Sequence, residues 1–87
     1  MYRVMLQSCG NIDYGENPKK PKSPFRIFAA DSIEGCSQAV IDYIEEFNLD
    51  SGNWCGGQIY DRDNDYVGRI SYNGKFWHKN HIYGKEN

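Results

Sequence analysis

Three aspartates at alternate positions, Asp61, Asp63 and Asp65, have the spacing with which a calcium loop opens, where successive oxygens turn towards one hard cation. The rest of such a loop is missing. Tyr66 stands where the sharp turn requires glycine, and Tyr72 where a bidentate glutamate completes the coordination. The triplet therefore reads as a solvated hairpin turn. His78 and His81 could join one of the cysteines around zinc, but Cys9, Cys36 and Cys55 form no CxxC pair, and no metal site is expected. Nucleophilic catalysis would need one of these thiols beside a base such as His78. Cys36 falls on the apolar side of a helix and Cys55 on a buried strand face, so both read as packing residues. Gly56-Gly57 lacks the lysine and hydroxyl residue of a phosphate-cradling loop. Neither an enzyme nor a cofactor is expected from these patterns.

Two charged clusters remain, and both are surfaces. Lys19, Lys20 and Lys22, with Arg26 beyond them, could track phosphates, while Pro18, Pro21 and Pro24 could hold the same stretch as an extended ligand. The plain alternative is a solvated linker. Glu34, Asp42, Glu45, Glu46 and Asp50 form an acidic stripe that could face a basic partner or simply water.

The elements that must position these groups follow from periodicity. Tyr2 to Cys9 alternates apolar and polar residues as a half-buried strand does, and Phe25 to Ala30 resumes that character after the Pro- and Gly-rich stretch 10–24, which is expected to be a flexible surface loop. A helix is expected from an Asp31–Glu34 capping box to about Asn48, with Ile33, Cys36, Val40, Tyr43, Ile44 and Phe47 along one side. Trp54 to Tyr60 reads as a third strand, with Gly56-Gly57 marking a bulge or close approach. Tyr66 to Tyr72 and Lys75 to His78 flank Asn73-Gly74, the signature of a two-residue hairpin loop. Such a loop pairs Tyr72 with Lys75, Ile70 with Trp77 and Arg69 with His78. The tail 79–87 is expected to fray.

The expectation is an α+β fold of order ββαβββ, a predominantly antiparallel sheet with one amphipathic helix on one face, in a single domain over residues 1–87. One helix covers one face. With Ile70, Trp77, Cys55 and Ile59 beneath it, the other face should display Trp54, Gln58, Tyr60, Arg69, Phe76 and His78, an aromatic and basic surface suited to recognition.

At 87 residues, 25% charged and 39% hydrophobic, the chain has room for one core. Its formal charge of −2 provides no general attraction for nucleic acid or anionic lipid. No apolar run approaches the roughly 20 residues of a membrane span, and the unpaired, odd-numbered cysteines suit a reducing, cytoplasmic location. The expected function is a non-enzymatic binding protein, an inhibitor or accessory factor acting on another protein through the sheet face or through Asp42 and Glu46. Small size and an abundance of residues with AT-rich codons suggest a phage or mobile-element protein directed at a host nuclease or defence complex. The alternatives are an RNA or single-stranded DNA binder using the aromatic face with the Lys loop, and a homodimeric structural subunit.

Overall fold

The computed structural model of the chain describes residues 1–80. Among them, five strands and one α-helix follow one another as β1 (Tyr2–Leu6), β2 (Arg26–Ala30), α1 (Ile33–Glu46), β3 (Gln58–Tyr60), β4 (Tyr66–Ile70) and β5 (Phe76–His78). All strand pairs are antiparallel, in the order β2-β1-β3-β4-β5, and α1 lies on one face of this sheet. The expected α+β architecture is present. Among the described residues no helix is long and apolar enough to cross a membrane.

The helix buries Cys36, Ala39, Val40, Tyr43 and Ile44, the stripe its three- and four-residue spacing lays on one side. It starts one residue later than the capping box implies. Ser32, not Asp31, is the cap, and its hydroxyl accepts the Gly35 N–H at 3.0 Å. At the other end Asn48 takes the left-handed conformation (φ 51°), and the Leu49 N–H returns to the Ile44 carbonyl at 3.0 Å. Opposite this stripe, Val4 pairs with Ile59, and both join Leu6 and Ile70 in the core.

Two register differences change what each sheet face carries. The β4–β5 loop is longer than Asn73-Gly74 alone. Ser71 N–H donates to the Lys75 carbonyl and Gly74 N–H to the Ser71 carbonyl, both at 2.9 Å, which closes the hairpin around Tyr72, Asn73 and Gly74. Only Gly74 (φ 84°) has a positive φ in this loop, as in a type I turn followed by a left-handed residue. The pairs are therefore Arg69 with Trp77 and Ile70 with Phe76, one residue away from the two-residue-loop register. A slip of one exchanges faces. Phe76 and His78 lie on the Ile70 side and Trp77 on the Arg69 side, the reverse of expectation.

The second difference arises at Gly57 (φ 96°). Its N–H donates to the Met5 carbonyl at 2.7 Å and its carbonyl accepts the Ile70 N–H at 2.9 Å. A side chain there would meet the Ile70 carbonyl oxygen at 2.1 Å. This break interrupts alternation, so Trp54, expected on the open face, turns into the core instead. It bridges to Ser8, packs 6.1 Å from Tyr43 and donates its indole N–H to the Ile70 carbonyl at 3.1 Å.

The stretch 10–24, expected to be a flexible loop, is anchored by side chains. Glu16 accepts from the Asn11 N–H (2.7 Å), the Asn53 side-chain amide (3.1 Å) and the Lys22 ammonium (2.7 Å). Further along, Ser8 and Ser23 share a hydroxyl hydrogen bond (2.6 Å), Ser23 continues it to the Tyr43 hydroxyl (2.5 Å), and that hydroxyl bonds the Pro24 carbonyl (2.6 Å). The expected frayed tail falls outside the described residues from position 81 onwards.

Two outcomes follow from these anchors. Tyr43→Phe leaves the Pro24 carbonyl and the serine pair short of a buried partner and should cost about 1–2 kcal/mol in urea unfolding, while Tyr72→Phe, at a half-exposed hydroxyl, should cost less. The Lys22 ammonium, with the Asn11 and Asn53 donors, holds the Glu16 carboxyl at about 2 against its ordinary 4.5. Its folded value is the lower one, so its contribution is complete above pH 4.5 and is lost as pH falls towards 2. Glu16→Gln should flatten the acid side of the stability profile in that window without altering its slope above pH 6.

Candidate functional site

Among the described residues β2 and β5 are the two edges of this sheet, and β2 is the longer and more exposed of them. Every residue from Arg26 to Ala29 is exposed, including Ile27 (53%) and Phe28 (45%), and Phe25 just before them is 57% exposed. Natural edges are usually blunted by charge, proline or a covering loop. The peptide groups left open can be assigned. The Met5 carbonyl faces β3, where it accepts from Gly57, and the Cys9 N–H likewise turns towards Asn53. Alternation then turns Val4 towards β2, so the Val4–Phe28 pair exchanges hydrogen bonds and the N–H and C=O groups of Ile27 and Ala29 point away from the sheet.

Beside this edge, α1 and β2 enclose a groove of about 750 Å³. Phe28 and Ala30 form its strand wall and Gln38, Ala39 and Asp42 its helix wall. Gly35 sets the approach at one end, since a Cβ there would lie 3.0 Å from that of Ala30. Arg26 closes the other end. Its guanidinium makes a two-pronged pair with Glu46 at 2.9 and 3.2 Å and lies 5.0 Å over the Phe47 ring and 5.8 Å over that of Tyr43. The hydrogen bonds of this pair lower the Glu46 carboxyl and raise the Arg26 guanidinium, so both stay charged through neutral pH. The groove is lined by three carboxylates, Asp31, Asp42 and Glu46, against the single cation Arg26. Asp42 accepts from the Gln38 amide at 2.9 Å.

The residues expected to form one recognition face do not share a surface. Gln58 and Arg69 are paired on the open face, and Tyr60 stacks edge-on against Tyr66 at 5.7 Å. Arg69 donates to the Gly56 carbonyl at 2.9 Å, while the buried Gln58 Oε1 lacks a hydrogen-bond partner. Trp54 is in the core, and Phe76 and His78, 6.3 Å apart, lie on the helix side. Asp42 and Glu46 are at the groove. Of the basic set, Lys22 is paired with Glu16 and Arg26 with Glu46, and only Lys19 and Lys20 extend from the loop without a carboxylate partner among the described residues. Sequence reasoning missed the exposed Phe25, Ile27 and Phe28. The one available signal was their position between a proline-rich loop and a helix, which allows an edge as readily as a central strand.

The discounted chemistries also have locations. The Asp61, Asp63 and Asp65 carboxylates converge within 4.8 Å, and Asp61 accepts the N–H groups of Asp63 (2.9 Å) and Asp65 (3.0 Å) within the β3–β4 turn. Burial raises the Cys36 thiol. Burial, and then a hydrogen bond with Cys9, push Cys55 up to about 11, which keeps it protonated and weakly nucleophilic at neutral pH. Among the described residues no histidine is hydrogen-bonded to a thiol, and His81 lies outside them.

No protein family matches the chain, nor does any curated protein or solved structure.

Amide hydrogen exchange should read the edge assignment directly. Phe28, bonded to Val4, should exchange at least about a hundredfold more slowly than Ile27 and Ala29. Equal protection at all three positions would mean that the free side of β2 is already occupied.

Proposed function

We propose that the protein is a non-enzymatic binding module that takes an extended segment of another protein as a sixth strand along β2. The outward N–H and C=O groups of Ile27 and Ala29, beside exposed Ile27 and Phe28, carry this reading. Main-chain hydrogen bonds supply affinity in such strand addition, and the flanking groove supplies side-chain discrimination. The helix wall gives the groove fixed geometry, because α1 is held to the sheet by the core and by the Arg26–Glu46 pair. An inhibitor or accessory factor would engage its target by this strand, with Asp42 and Glu46 beside the contact.

Peptides selected by display against the full chain provide the test. They should bind in extended form and shift the Ile27 and Ala29 amide resonances. Ile27→Pro deletes an outward donor while leaving the bonds between β1 and β2 in place, and should abolish binding with an unchanged far-ultraviolet spectrum. Selected peptides that instead shift Gln58, Arg69 and Trp77, and survive Ile27→Pro, would assign recognition to the open face.

A further inference from the structure

We infer that the segment added to β2 alternates basic with apolar residues and turns its basic side chains to α1. This rests on β2 being the docking edge. Ile27 and Ala29 carry the open peptide groups, so an antiparallel strand must set its hydrogen-bonded residues opposite these two. Side chains opposite Phe28 and Ala30 then rise on the helix side, into the groove. There they meet an aromatic ring and a methyl group below, and Gln38, Asp42 and Asp31 along the rim. A lysine or arginine suits that position, because its alkyl stem can lie over Phe28 while its head reaches Asp42. Opposite Arg26 the demand differs, since Glu46 is already held there at 2.9 Å and a second cation would face the first. The basic residues should therefore concentrate towards the Ala30 end. Intervening side chains fall on the other sheet face beside Ile27 and Ala29, where an exposed isoleucine favours valine or isoleucine.

A second copy of this chain fits the hydrogen bonds but not the charge. A two-fold axis at Phe28 would pair Ile27 of each copy with Ala29 of the other. It would also set two helices across one trough, facing Asp31, Asp42 and Glu46 with the same three carboxylates and only two Arg26 cations to offset them. Like charges at that spacing oppose pairing, whereas a basic strand neutralises them.

Capped peptides Lys-Val-Lys-Val-Ser, Gln-Val-Gln-Val-Ser and Glu-Val-Glu-Val-Ser, whose serine falls opposite Arg26, titrated into the full chain and followed at the Ile27 and Ala29 amides, discriminate the outcomes. The lysine peptide should bind about tenfold more tightly than the glutamine peptide, the glutamate peptide should bind weakest, and the advantage should shrink with salt. Asp42→Lys should invert the order, with Glu34→Lys, outside the groove lining, as the control for net charge. Equal binding of all three peptides at β2 would overturn the charge preference and leave the docking edge standing. Shifts from none of them at β2 would overturn both. A dimer mass in light scattering that Ile27→Pro returns to monomer would replace the basic segment with a second copy.

Discussion

A phenol cannot be buried without partners, and the hydroxyl of Tyr43 is the group whose satisfaction organises this fold. Tyr43 is 2% exposed, and its ring lies among Phe47, Trp54 and the Arg26 guanidinium. Its hydroxyl takes the Ser23 hydroxyl and the Pro24 carbonyl, both from the stretch that precedes β2. The chain must therefore return to the helix at Pro24. That return sets where Arg26 starts the edge strand and allows its guanidinium to reach Phe47 and Glu46 together. Through that hydroxyl α1 holds the end of the loop at both Ser23 and Pro24. The groove is in this sense a by-product of a buried polar group.

The same constraint explains why a proline-rich segment is tied down. Prolines remove donors, so such a stretch cannot pair as a strand, and its remaining polar groups look to side chains. Glu16 gathers three donors from different parts of the chain, and the Ser8 hydroxyl receives the Lys22 N–H at 2.9 Å. Composition alone shows the prolines and glycines but not these closures. Two of them depend on residues far away in sequence, Asn53 for Glu16 and Tyr43 for Ser23.

What was legible in the sequence was the part that repeats locally. The spacing from Ile33 to Phe47 is enough to identify the helix and its buried side, and alternation identifies β1. What was not legible depended on parity. Asn73-Gly74 is compatible with loops of two or three residues, and the choice moves Phe76 and Trp77 to opposite faces. Gly57 interrupts the alternation that links Trp54 to Ile59, and a single left-handed glycine is invisible to a count of every second residue. Asp42 and Glu46 were recognisable as a charged helix side and Arg26–Ala30 as a strand, but the placing of that strand at the sheet edge beside them was not. Whether a β-prone run such as Arg26–Ala30 becomes a central or an edge strand is decided by where α1 carries the chain next, beyond any local signal.

That crossover also governs how the molecule is assembled over time. The interior position of β1 means that this strand, synthesised before its two neighbours, is flanked in the finished sheet by β2 on one side and by β3, more than fifty residues later, on the other. The β1–β2 hairpin can close early, since its partners are joined by one loop, yet β1 then waits with its second edge open until Gln58–Tyr60 has been synthesised. During that interval the nascent hairpin is bare on both sides. The residues that keep Arg26–Ala30 accessible in the folded protein thus also expose the growing chain to misplaced strand pairing.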